Sequence, residues 1–137
     1  MNRSDFQALA DIRANEAQAL LNAGHFAGAY YLAGYAVECA LKAYMAGLTK
    51  EFDFPDKSLV NQMYTHDLEK LIGLASLQPT LTSDMASDAD FARRWALVKD
   101  WSEDARYERH DATAARELVS ATVDNKSGVL RWLKLHW

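Results

Sequence analysis

The stretch Ala29-Tyr30-Tyr31-Leu32-Ala33-Gly34-Tyr35-Ala36-Val37-Glu38-Cys39-Ala40-Leu41-Lys42-Ala43 limits the fold more than any other part of the chain. Small and aromatic residues surround a single carboxylate, Glu38. The segment predicts a buried helix from Phe26 to Ala46, ended by Gly47, and its Ala and Gly residues let neighbouring helices approach closely. A helix of that kind sits at the centre of a bundle and is touched on several sides. Left unpaired, a buried carboxylate costs several kcal/mol or takes up a proton, so Glu38 must be solvated, protonated or paired.

The remaining composition fits an all-helical domain. The 137 residues suffice for one domain with a sizeable core, and half of them are hydrophobic. Six Gly and two Pro supply little material for the turns of an all-β fold. The polar N-terminus and the lack of a long apolar run lead us to expect a cytoplasmic protein with no membrane segment. The single Cys39 excludes an internal disulfide and reads as a small buried hydrophobe. A formal charge of −4 argues against a general nucleic-acid-coating protein. Charge is uneven, however: residues 1–92 carry 6 basic and 12 acidic side chains, residues 93–137 carry 9 and 7. An anionic ligand is therefore expected to meet the C-terminal part.

Taken in order, Ser4 is a candidate cap for a first helix over residues 4–22, with Gly24 in the turn that follows. Phe52-Asp53-Phe54-Pro55-Asp56 is a connection, since the residue before proline avoids helix, and both Phe residues are expected to tuck onto the core. A short turn is expected at Ser58–Gln62. Thr65 is a candidate cap for a third helix carrying Leu68, Leu71, Ile72 and Ala75, closed by Gln78-Pro79. Ser83 to Asp90 reads as an acidic loop leading into a fourth helix with Phe91, Trp95 and Val98, capped by Asp88 or Asp90. Asp111 is the candidate cap of the last helix, which carries Leu118 and Val119; its pattern resumes at Val129 and Leu130, with a kink or close contact at Gly128. The expected fold is a compact all-α bundle of about five helices spanning residues 1–137.

Several chemistries lack their residues. There is no Gly-rich phosphate loop, no Cys-x-x-Cys and no His-Glu-x-x-His, so no metal site and no cofactor are expected. Asp84, Asp88 and Asp90 lack the Gly and closing Glu of a calcium loop. Two constellations remain. Glu38 either pairs with Lys42 one turn on, or faces inward and takes the guanidinium of Arg106, whose planar fork suits a carboxylate. The second constellation is Arg106, Tyr107, Arg109 and His110, with Arg116 further along. A guanidinium beside an imidazole can hold a phosphate and move a proton, the minimum for metal-free RNA cleavage. The plain alternative is a polar interhelix junction with His110 in solvent.

These residues resemble a known family. Ala33 to Ala43 is similar to the signature second helix of HEPN domains (higher eukaryotes and prokaryotes nucleotide-binding). Further elements follow in the same order: Tyr64-Thr65-His66-Asp67-Leu68, then Trp101 and Arg106-Tyr107, then Gly128-Val129-Leu130-Arg131-Trp132-Leu133. The resemblance spans nearly the whole chain. It implies an up-down four-helix core and a homodimer, formed here through the small-residue helices. Many such proteins are small modules of prokaryotic toxin–antitoxin or defence systems, encoded beside a minimal nucleotidyltransferase; others are metal-independent endoribonucleases using an Arg and a His. Three residues lie between Arg106 and His110, fewer than in that ribonuclease motif, and Tyr107 stands where a small polar residue is usual. Two functions are therefore expected. The first is a weakly catalytic or non-catalytic module binding nucleotide, RNA or a nucleotidyltransferase, with Tyr107, Arg109 and Arg116 as contacts. The alternative is a ribonuclease cleaving single-stranded RNA through Arg106 and His110. If Arg106 pairs with Glu38, it is structural and lost to phosphate.

Overall fold

Small side chains set how the first two helices meet. The computed structural model describes residues 1–49 and 53–137, and in it α1 (Arg3–Asn22) lies along α2 (Phe26–Leu48) in the most extensive contact of the fold. Ala10, Ala14 and Ala17 of α1 are buried, as are Ala29, Ala33, Ala36, Ala40 and Ala43 of α2. With only methyl groups between them, two helices approach closely and gain dispersion contacts along their length. These alanines are consumed inside the chain, so they are not the surface through which a second copy would dock.

The other described elements are α3 (Lys57–Gln62), α4 (Leu68–Leu74), α5 (Gln78–Ser87), α6 (Ala89–Val98), a 3-10 turn (Glu103–Tyr107), α7 (Ala112–Val123) and α8 (Val129–Lys134). The all-α expectation holds, with more and shorter helices than the five expected and no strand among the described residues. As its composition suggested, α2 is central, packing on α1, α4, α7, α8 and the 3-10 turn. Gly34 is what lets the indole of Trp101 lie against it. A Cβ there would fall 2.2 Å from Trp101 Cγ.

The caps follow backbone chemistry closely. Asn2, rather than Ser4, caps α1, reciprocating with Asp5 in a capping box. Asp56, Asp67, Asp88 and Asp111 each accept a hydrogen bond from the backbone of their helix, at 2.9, 3.0, 3.0 and 2.8 Å. Thr65 instead receives the N–H of Asp67. Gly24 takes the left-handed conformation at φ 82°.

Three further expectations fail. Gln78-Pro79 opens a helix instead of closing one, and part of the supposed acidic loop, up to Ser87, belongs to α5. Proline fits the first turn of a helix, where its missing N–H has no partner to lose. Leu81 is buried, and Asp84 accepts a 2.7 Å hydrogen bond from the indole N–H of Trp132 on α8. Phe54 is 99% exposed, not tucked inward, in a segment without regular structure next to Pro55. Phe52 lies outside the described residues.

The turn between α7 and α8 is held by one carboxylate. Asp124 accepts hydrogen bonds from the backbone of Ser127 and Lys126 and from the Ser127 hydroxyl. Gly128, at the expected close contact, caps α8, and a Cβ would stand 2.4 Å from the Asp124 carbonyl oxygen. Arg94 ties this turn to α6, donating to Ser127 Oγ at 2.9 Å and to Ser120 O and Oγ at 3.0 Å each.

Gly34→Ala is expected to destabilise the fold by about 1–3 kcal/mol in urea unfolding, although Ala is the better helix former. Gly73→Ala, where a Cβ meets nothing within 4 Å, should have no such cost. A second expectation concerns acid. The backbone N–H groups of Ser127 and Lys126, aided by Arg94, hold the Asp124 carboxyl below its usual value. Its stabilising effect is present above the ordinary carboxylate range and disappears as pH falls through the lowered folded value. Asp124→Asn should therefore be less stable than wild type near neutrality, with the gap closing in acid unfolding curves.

Candidate functional site

The buried carboxylate leads to the most elaborate polar cluster in the chain. Glu38 is only 2% exposed, and its Oε1 receives Lys42 Nζ at 2.8 Å and lies 2.9 Å from His66 Nδ1. The other ring nitrogen, His66 Nε2, stands 3.1 Å from Glu103 Oε2. Arg106 completes the series, donating from Nε to the Glu103 carbonyl at 3.2 Å, with Nη2 3.6 Å from its carboxylate. The Nδ1 contact is a hydrogen bond, whereas the Nε2 contact is a close approach. Lys42, Glu38, His66, Glu103 and Arg106 thus form one continuous chain of polar contacts.

The inner links matter more than the outer ones. Lys42 is 13% exposed, so its bond to Glu38 is formed largely out of water. His66, Glu103 and Arg106 are about two-fifths exposed, where ion pairs contribute ~0–1 kcal/mol. Removing a partner of a buried charge costs more, ~3–5 kcal/mol. Of the two alternatives the sequence leaves for Glu38, the Lys42 pairing is the one formed, but inside the fold and not at its surface. The direct Glu38–Arg106 pair is absent. His66 and Glu103 stand between them, because α4 entry and the 3-10 turn bring those shorter routes to the carboxylate first.

An aromatic shelf adjoins this cluster. Tyr31 stacks on Tyr35 and on Trp101, with ring centroids 6.0 Å apart in each case, and Arg13 of α1 lies 5.9 Å from the Tyr35 centroid. Tyr31, Tyr35, Glu38 and Lys42 fall on one stripe of α2 by their spacing of three and four. Burial, more than the neighbouring charges, raises the hydroxyls of Tyr31 and Tyr35 above their usual value. Behind them, burial and the Glu38 charge push the Cys39 thiol up to about 11, so it is a packing residue and not a nucleophile.

The second constellation is spread out. His110 stacks on Tyr30 of α2 with centroids 3.6 Å apart and planes 9° from parallel, leaving 15% of its side chain exposed. Its Nε2 lies 3.4 Å from Glu108 Oε2 without forming a hydrogen bond. Burial, then Glu108 and Asp100, raises the Tyr30 hydroxyl. Arg106 keeps to Glu103 and lies 5.2 Å from the ring centroid of Tyr107, itself 80% exposed. Arg106 and His110 share no partner. Arg109 is exposed, and Arg116 lies on α7, facing a groove against α6.

Sequence reasoning overlooked His66 and Glu103 as partners and Tyr30 as the cover of His110. The signal for His66 was present: it stands next to the α4 cap, and Leu68, Leu71 and Ile72 bury that helix close to α2. No helix among the described residues is long and apolar enough to cross a membrane, and no group of three or more His, Cys, Asp and Glu is placed to hold a metal ion. Comparison with known protein families, curated proteins and solved structures finds no match to this chain.

A double-mutant cycle checks the network. Glu38→Gln and His66→Ala are expected to couple by more than ~1 kcal/mol in urea unfolding, whereas Glu38→Gln and Arg106→Leu should add within ~0.5 kcal/mol. Strong coupling of residue 38 to 106 and none to 66 would overturn the assignment.

Proposed function

We propose that this chain is a HEPN-like helical module that binds nucleotide, RNA or a nucleotidyltransferase partner, without strong catalysis, within a prokaryotic toxin–antitoxin or defence system. Support for the family comes from its second-helix segment meeting another segment of the resemblance: Glu38 of the first lies 2.9 Å from His66 of the second. Buried interactions of this sort keep residues together for structural reasons, and the two segments serve one another here.

The observation that carries binding over cleavage is the position of His110 beneath Tyr30. A general base or acid must come within hydrogen-bond reach of the proton that it moves. Here the ring is largely covered and its Nε2 is turned toward Glu108, while Arg106 is engaged by Glu103. Moving both onto one phosphate requires breaking the stack and the turn contact together. Arg109 and Tyr107 remain exposed as contacts for a ligand. In this proposal a homodimer forms through faces other than the buried alanines of α1 and α2.

The test is incubation with single-stranded RNA in excess chelator, with wild type and His110→Ala compared. No cleavage by either protein, together with capture of RNA, nucleotide or a small nucleotidyltransferase by the wild type, is the expected outcome. Cleavage by wild type that His110→Ala abolishes would replace this function with the metal-independent ribonuclease.

A further inference from the structure

Among the cationic side chains of the last third, those between α6 and α7 are gathered into one place. A groove of about 520 Å³ separates the outer edges of these helices, lined by Arg93, Arg94, Leu97, Arg116, Glu117 and Ser120 among others. Three guanidinium groups face one carboxylate there, in a chain whose formal charge is −4. The cleft at His66 is the opposite case, lined by Asp67, Glu69, Asp100, Glu103 and Asp104 as well as Lys99. An anion is drawn to the first and repelled from the second.

The three arginines are not equivalent. Arg94 is a fixed part of the fold, 15% exposed, with hydrogen bonds to Ser120 and Ser127 and its Nη2 3.5 Å from Asp124. It supplies a rigid positive wall. Among the described residues Arg93 pairs with Asp90 alone, one turn back, at 3.5 Å, with both side chains more than 60% exposed, a contact worth little in water. Arg116 is exposed and makes no ion pair among the described residues. Two exposed forks on facing helices and one fixed guanidinium behind them, with Glu117 the one carboxylate in the lining and Asp90 and Asp124 outside it, make a cradle for an oxyanion able to accept several hydrogen bonds.

We infer that the α6–α7 groove binds the phosphate of an organic phosphate ester, with Arg93 and Arg116 as its ligands and Arg94 as the fixed positive wall. Phosphate offers the oxygens that paired guanidinium forks fit, and the volume exceeds what a bare phosphate fills. Ala96 and Leu97 give the groove an apolar side for the organic part. Free nucleotides and an RNA strand both present this chemistry. The assignment does not depend on the family proposed above, and it places the anion contact away from Arg106 and His110.

The test measures binding of ATP, inorganic phosphate and a short fluorescein-labelled single-stranded RNA to the full chain in chelator, by calorimetry or anisotropy. Arg93→Gln and Arg116→Gln alter exposed side chains, so their thermal midpoints should match wild type, and each should weaken binding by about tenfold. Loss for ATP alone identifies a free nucleotide, loss for RNA alone a strand, and loss for both the ester common to them. Lys99→Gln, on the acidic cleft, should bind as wild type does. The inference is overturned if wild type binds none of the three probes, if inorganic phosphate binds as tightly as ATP, or if Arg109→Gln weakens binding while the two groove variants do not.

Discussion

One buried charge sets the terms for the centre of this protein. Glu38 lies at 2% exposure in an alanine-rich helix with two polar partners drawn to it, Lys42 and His66. Lys42 comes from the same helix, one turn on, and needs only a rotamer. His66 arrives from across the sequence, so the start of α4 must be held close to the middle of α2. Leu68, Leu71 and Ile72 bury that helix and hold the histidine in place. Hydrophobic burial supplies the driving force, and removing a partner of the buried carboxylate is costly.

The outer half of the same network explains where Arg106 stands. Glu103 meets His66 with its carboxylate and Arg106 with its carboxylate and backbone carbonyl, so the 3-10 turn is fastened on its inner side. Trp101 lies against Gly34 just before it, and His110 lies on Tyr30 just after. The segment from 101 to 110 is therefore held on α2 at Gly34 and at Tyr30, and between them on His66. A flexible, highly charged loop at the junction would have left its cations available to any anion; this one commits Arg106 and His110 to partners within the chain. The arginines of α6 and α7 carry the positive surface instead.

Helix-forming segments were legible because apolar spacing and Asp caps are local signals, and Asp88, Asp111 and Gly24 do what their sequence context predicts. Pro79 reads as a stop, yet proline is equally at home in a first turn, and the burial of Leu81 goes with the helix that it opens. Phe54 was misplaced by the assumption that a large apolar residue must be covered. The site was less legible than the fold. A carboxylate in an apolar helix announces that it needs a partner, and Lys42 at one turn was readable, but the identity of a distant partner depends on packing. Arg106 is the better carboxylate partner by chemistry, and His66 the nearer one by topology.

The position of Cys39 has a practical consequence. It is the chain's single thiol, 2% exposed on the central helix, and burial with the adjacent Glu38 charge disfavours its reactive thiolate. A thiol reagent in solution meets it only when α2 leaves the bundle. The protein thus carries its own reporter of opening: labelling rates at one native atom read how often the helix at its centre is released, with no probe added and no residue changed.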